Sequence, residues 1–243
     1  MHINILTIFP EVFDALNYGV IGKAKTNKSF SIKLQDIRDY PVNKHGQIDS
    51  KPYGGGEGMV MMAEPLKKSL NNIPKEKLGK VIYLSPQGAL FNNTKAKKLS
   101  KEPSVTFICG RYEGIDQRFI DKYVDEEISI GDFIISGGEI AALCIVDSVI
   151  RHIPGVLGNK DSSKNDSFSN GLLKGPQYSR PEVFEEIPVP EVLLSADHKK
   201  IKEWKDLKSI EATIIRRPDL LNNVKLTKKQ RKLLEDLASQ SIL

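Results

Sequence analysis

The spacing of apolar positions along this chain changes period several times. Residues 3–9, Ile-Asn-Ile-Leu-Thr-Ile-Phe, form a β-rich apolar run that Pro10 stops. Residues 31–37, Ser-Ile-Lys-Leu-Gln-Asp-Ile, alternate with period two, while 81–85 (Val-Ile-Tyr-Leu-Ser) and 105–109 (Val-Thr-Phe-Ile-Cys) are short and almost wholly apolar. Short continuous apolar runs bounded by turn residues are the pattern of strands buried on both faces of a parallel sheet. Between them, 64–71, 94–100 and 116–123 predict helices. The longest predicted helix runs from Glu139 to His152 and is closed by Pro154-Gly155. Strand-like and helix-like segments in alternation predict an α/β fold, a parallel sheet with helices on both faces.

That pattern stops abruptly. Gly158 to Gly171 is almost wholly polar and small, without periodicity, and reads as an exposed linker. A Pro-rich joint at 187–193 leads to two basic helices, about 196–217 and 227–239. Pro218 cannot continue the first, and Thr227 and Gln230 have capping-box spacing at the start of the second. The expected organisation is a sheet domain over 1–158, a flexible linker over 159–172 and a small helical domain over 173–243.

Composition narrows the class. The 243 residues are ample for a hydrophobic core, and the formal charge of +5 leans weakly toward an anionic partner. No apolar run approaches a membrane span, so no membrane partner is expected, and the N-terminus lacks the features of a signal peptide. Cys109 and Cys144 lie in apolar surroundings and are expected to be buried, reduced thiols. The four histidines are scattered, with no zinc-like spacing. A cytoplasmic protein without a structural metal or disulfide is the expectation.

Four glycine-bearing segments end strand-like runs: Leu84 to Gly88 (LSPQG), Pro52 to Met59 (PYGGGEGM), Cys109 to Asp116 (CGRYEGID) and Ser129 to Glu139 (SIGDFIISGGE). Each alone reads as an ordinary tight turn. Four in one α/β domain point to a pocket outside the carboxyl ends of the strands. Neither a Rossmann nor a Walker fingerprint is present. A site for a nucleotide or phosphorylated metabolite would also use such loops. A non-catalytic RNA-binding module would account for the basic helices but leave the loops idle.

The motifs VIYLSPQG, CGRYEGID, SIGDFIISGGE, DSVIRHIPGVLG, NDSFSNGLL, YSRPEV and RRPDLL follow one another in this order. In this the chain resembles, over essentially its whole length, the bacterial tRNA (guanine-N1)-methyltransferases, which methylate the guanine just 3′ of the anticodon. The resemblance implies the SPOUT class, whose chain ties a deep trefoil knot, an exception to the rule against knots. It implies S-adenosylmethionine held in a bent conformation by the knot loops. Tyr83, Leu84, Ser85 and Pro86 would form one side of that pocket, and Gly110, Tyr112, Glu113 and Gly114 another. Ile130, Gly131, Asp132, Phe133, Ile134 and Ile135 would wrap the adenine and ribose, with Gly137 and Gly138 leaving room for close approach. Tyr53 and Gly55, in the loop PYGGGEGM, would approach the donor and the target base.

The same resemblance assigns the chemistry. Guanine N1 carries a proton at neutral pH and needs a base; the family's catalytic aspartate maps onto Asp166, which by itself would read as a solvated linker carboxylate. Desolvation on RNA binding would make it a better acceptor. Arg151 corresponds to the arginine at the target guanine, where positive charge would stabilise O6; on its own it reads as a helix-end arginine facing the macrodipole. A Mg²⁺ dependence is implied, with Glu113 as participant, and so is a homodimer whose active sites are shared between chains. Lys199, Lys202 and Arg216, otherwise a solvated basic face, would contact tRNA phosphates. The chain departs from the family pattern at Ser50, Ala141, Gln177 and Ala212, which bears on how it grips tRNA.

Overall fold

A computed structural model of the chain describes residues 1–157, 166–224, 226–227, 230–232 and 234. The chain divides into two compact units, Met1–Lys160 and Asp161–Leu243. The predicted helix over 227–239 lies mostly outside the described residues.

The first unit opens with β1 (His2–Thr7), a 3-10 helix over Pro10–Asn17, α1 (Gly19–Thr26) and β2 (Ser31–Asp36). A small antiparallel hairpin, β3 (Asp49–Ser50) and β4 (Val60–Met61), is followed by α2 (Ala63–Asn71) and α3 (Lys75–Leu78). Then come β5 (Lys80–Leu90), α4 (Asn93–Leu99), β6 (Ser104–Cys109), α5 (Gln117–Tyr123), β7 (Glu126–Ser129) and α6 (Gly138–Ile150). Five strands pair in parallel in the order β2-β1-β6-β5-β7. The α/β architecture and its parallel sheet are those the apolar runs predict. The periodicity does not predict α1, since two glycines in eight residues weaken the local preference. Packing decides there: Phe13, Leu16 and Ala24 are buried in the core.

Alternation along the strands divides two cores. Ile3, Ile5, Ile82, Leu84, Val105 and Phe107 face one cluster, with Ala142, Ile145, Val146 and Val149 of α6 against them. Leu6, Val81, Tyr83 and Ile108 face the other, packed by Leu66 and Leu70 of α2 and Phe119 of α5. A sheet covered on both sides needs strands that are apolar on both, which is why the runs lack alternation. At their centre Phe107 is wholly buried and registers with Ile5 and Ile82 on either side.

Two expectations fail. The strand predicted over 81–85 does not end there. Residues 85–88 leave the ladder, and Ala89 and Leu90 rejoin it against Ile128 and Ser129 of β7. Pro86 has no N–H to donate, so the chain bulges rather than stops. Cys109 is buried as expected, but Cys144 is exposed. It lies one turn beyond Ile140, itself 49% exposed, on the outer face of α6. That helix is apolar around most of its circumference, so periodicity could not tell which side meets the core.

The second unit contains a two-residue-stranded hairpin, β8 (Val183–Phe184) and β9 (Ile187–Pro188), and the long helix α7 (His198–Arg216). Asp197 caps α7, its Oδ1 accepting from the Lys199 and Lys200 amides at 3.0 and 3.1 Å. Residues 171–175 form a strap along α7. The Leu173 amide donates to Thr213 Oγ1 at 2.9 Å, and Ser209 Oγ donates to the Leu173 carbonyl at 2.5 Å. Ile210 and Thr213, fully buried, mark the face the strap covers. Among the described residues no helix is long and apolar enough to cross a membrane.

Candidate active site

The bulge within β5 and the loops that follow its neighbours β6 and β7 converge on one end of the sheet and enclose a cavity of about 370 Å³. Each loop is shaped by its own sequence. In the first, Ser85 Oγ accepts the Gln87 amide at 3.1 Å and holds the bulge around Pro86. The second, 110–116, is stitched to the β3–β4 hairpin: the Glu113 amide donates to the Met59 carbonyl at 2.9 Å and the Met61 amide to the Gly114 carbonyl at 3.0 Å. In the third, Ser129 Oγ exchanges hydrogen bonds with the Gly131 amide and carbonyl at 3.2 and 3.1 Å. The Gly138 amide then donates to the Gly110 carbonyl at 2.9 Å, which joins the third loop to the second.

Of the residues the resemblance places around the methyl donor, Tyr83, Leu84, Ser85, Pro86, Gly110, Tyr112, Glu113, Gly114, Ile130, Gly131, Phe133, Ile134, Ile135, Gly137 and Gly138 line this cavity. Asp132 is exposed and is not among the lining residues. Tyr53 is 98% exposed in the β3–β4 loop, and neither it nor Gly55 lines the cavity. PYGGGEGM therefore does not end a strand of the central sheet, as its glycines suggest; it closes a separate hairpin. Arg151 caps the C-terminus of α6 and is exposed. Asp166, Lys199, Lys202 and Arg216 belong to the second unit.

Within that unit Asp166 starts a hydrogen-bonded turn. Its carbonyl accepts the Ser169 amide at 3.2 Å, the Phe168 amide donates to the Leu172 carbonyl at 2.8 Å, and the Lys174 amide donates to Ser167 Oγ at 2.9 Å. The Asp166 side chain is 39% exposed, with Lys174 Nζ at 3.8 Å. The described part of the expected linker is thus tied to the strap on α7. Lys199, Lys202 and Arg216 are all exposed on α7.

Several cavity residues have a strongly shaped environment. Burial, with Glu127 nearby, pushes the Tyr83 phenol up to about 12, so it stays protonated. Its hydroxyl oxygen lies 2.8 Å from where a Cβ on Gly110 would sit, and only glycine allows that approach. Burial also raises Tyr112, helped by its hydrogen bond to Asp49. Cys109, beneath the loops, is pushed well above the usual thiol range by burial and by Glu139, which makes it inert.

The sequence reading missed Arg111, Glu139 and Thr7. Arg111 Nε donates to Glu139 Oε2 at 2.8 Å and Nη1 donates to the Ser136 carbonyl at 3.1 Å. Thr7 Oγ1 donates to Glu139 Oε1 at 2.8 Å. A Cβ on Gly137 would collide with Arg111 Nε, so the backbone there lies against the guanidinium. Arg111 and Glu139 stand inside quoted motifs, but nothing in the spacing pairs them. Thr7 is hidden in an apolar strand. Among the described residues no three His, Cys, Asp or Glu side chains come together to hold a metal.

The family model described as tRNA (Guanine-1)-methyltransferase TrmD matches residues 1–223. The chain belongs to that family. It is 51% identical to the tRNA (guanine-N(1)-)-methyltransferase of Clostridium novyi (strain NT), with 97% of each chain covered. It is 49% identical to the protein of the same name from Clostridium botulinum (strain Loch Maree / Type A3), over 97% of this chain and 98% of the other. With that of Clostridium beijerinckii the identity is 48% over the same shares. The chain is thus an enzyme of a family whose reaction is methylation of guanine N1 in tRNA.

Proposed function

We propose that this protein transfers a methyl group from S-adenosylmethionine to N1 of the guanosine 3′ of the anticodon, position 37, in tRNA. The observation that carries the reading is the cavity built by the β5 bulge and two strand-end loops in a chain of this family. Its volume lies within the range of small-molecule sites. Isoleucines and Phe133 offer an apolar wall, bare backbone at Gly110 offers close hydrogen bonding, and Glu113 and Glu127 favour a cation. These residues fit such a donor, which when bound supplies an electrophilic methyl group on a positively charged sulfur.

The chain's own residues do the rest. Asp166 takes the proton from guanine N1, a task for which its position on a short turn, partly open to solvent, suits it before RNA covers it. Arg151 places positive charge at O6 as charge accumulates there. Tyr53 and Gly55 meet the target base, which leaves its stack to reach them. Lys199, Lys202 and Arg216 of a helical tRNA-binding domain take phosphate contacts. The described residues do not build a resident Mg²⁺ site, and no step here runs through one.

The reading extends to architecture. The three joined loops form the SPOUT trefoil knot, and two chains pair through the outer face of α6 so that each active site draws on both. The exposed apolar positions Ile140 and Cys144 support that surface. The enzyme works in the cytoplasm, where tRNA is modified. The deciding experiment is transfer of labelled methyl from S-adenosylmethionine to tRNA transcripts that differ only at position 37. Label enters the transcript with guanosine there and no other. Failure to label it, with the donor bound, overturns the reading.

A further inference from the structure

A fully buried carboxylate at the edge of a ligand cavity calls for explanation, because an ionised group taken out of water is costly unless paired. Glu139 is such a group: it has no exposure, in the first turn of α6. Its two oxygens are divided between segments far apart in sequence. Oε1 accepts from Thr7 Oγ1 at the end of β1, and Oε2 accepts from Arg111 Nε in the loop after β6, each at 2.8 Å. The Thr7 hydroxyl also accepts the Phe9 amide at 2.9 Å, which leaves its proton to point at Glu139. The direction of every bond in the chain is thereby fixed.

Arg111 carries the arrangement to the cavity. Its guanidinium lies 4.5 Å from the Phe9 ring centroid, holds the Ser136 carbonyl and lies under the Gly137 backbone. Ser136 and Gly137 line the cavity, as Arg111 does. Besides Ile135, packed on the core, and the Gly138 amide bonded to the Gly110 carbonyl, this end of the third loop is open: Ile134 is 82% exposed and Phe133 55%. A guanidinium free to swing would release the Ser136 carbonyl and with it that wall.

We infer that Glu139, oriented by Thr7, is a positioning residue for the methyl-donor site. It fixes Arg111, and Arg111 holds the 130–137 loop in its ligand-ready shape. The inference rests on the reading of the cavity as the S-adenosylmethionine site. The loss on breaking this chain falls on donor affinity, since the wall is set before the donor arrives, while the groups that act on guanine are elsewhere.

The test uses the full-length protein with S-adenosylhomocysteine as calorimetric probe, together with steady-state kinetics. Thr7→Val keeps the shape but removes the hydroxyl; Thr7→Ser restores it. Thr7→Val should raise the dissociation constant about tenfold, the order expected for one lost hydrogen bond to a charged group. The KM for S-adenosylmethionine should rise in step, while kcat and the KM for tRNA hold. Thr7→Ser should return both donor constants to within about twofold of wild type. Glu139→Gln should resemble Thr7→Val; if it does not fold, the threonine pair decides. A lower melting temperature with unchanged donor constants, or equal loss in Thr7→Val and Thr7→Ser, would overturn the proposal. Failure of the wild-type protein to bind the probe would instead reject the reading of the cavity.

Discussion

One ion pair from each unit shows charge held by opposite means. In the first, Arg111 and Glu139 are 20% and 0% exposed, and their bonds join three chain segments into one wall of a cavity. In the second, Lys202 and Asp206 pair across one turn of α7 at 3.0 Å with 78% and 46% exposed. An exposed pair of that kind contributes at most about 1 kcal/mol and is screened by salt. The buried arrangement costs desolvation and returns fixed geometry; the exposed one costs little and leaves its charges free to exchange partners. The difference fits the roles proposed for these residues, a preformed small-molecule wall around Arg111 and a polyanion-gathering face on α7.

The sharpest way to break that comparison is to neutralise the one second-unit carboxylate to which a chemical task is assigned. Asp166→Asn keeps the shape of the turn and removes the proposed base. The single-turnover rate of methyl transfer should fall about 10²- to 10⁴-fold, the range for loss of a general base, with S-adenosylhomocysteine affinity unchanged. A near-wild-type rate would move the base elsewhere and leave the second unit with no chemistry.

Next in size is the pairing of chains. Ile140→Arg puts a charge on the outer face of α6, where Ile140 is half exposed, so the chain's own core is untouched. If each site draws on two chains as proposed, sedimentation should show monomers and turnover should fall with the dimer fraction. Full activity in a monomeric variant would mean that one chain carries a complete site.

A smaller effect is expected on α7. Replacing Lys199 and Lys202 by alanine should reduce the slope of log affinity for tRNA against log salt by about 2, one for each lost phosphate contact. Donor affinity should not change. An unchanged slope would show that these lysines are only solvated.

How much of this was legible in the sequence follows from what each feature depends on. The strands around Phe107 and Ile82 were legible because burial on both faces imposes continuous apolar runs. CGRYEGID and SIGDFIISGGE were legible as strand-end loops from their glycines, whereas LSPQG is a bulge within β5 and PYGGGEGM closes a separate hairpin. What was not legible depended on contacts distant in sequence. Thr7 reads as one more β-former until Glu139, 132 residues away, accepts its proton. The bulge at 85–88 depends on β7, whose residues pair with β5 both before and after it. Cys144 was misplaced because α6 is apolar on both sides, and only the tertiary structure distinguishes them.

The smallest predicted effect compares one kind of ion pair in the two units directly. Glu126, on the edge strand β7, accepts from Lys80 Nζ at 2.5 Å and Lys95 Nζ at 2.6 Å and is 23% exposed. Partial burial disfavours its charge, but the two ammonium groups outweigh that, and its pKa lies below the usual 4.5. A depressed carboxylate pKa contributes stability that is fully present above the unfolded value and lost as pH falls through the folded one. Glu126→Gln should therefore lower stability by about 0.5–1 kcal/mol at pH 7, the upper range for such pairs. Below pH 4.5 the gap between variant and wild type should narrow and then close. Asp219 is also depressed, by its hydrogen bond to Arg217 at 2.6 Å, but the pair lies open to solvent. Asp219→Asn should leave the melting temperature unchanged at both pH values. Thermal melts of the three proteins across this range decide the matter: a pH-dependent gap for Asp219→Asn as large as that for Glu126→Gln would mean that exposure does not separate these two ion pairs.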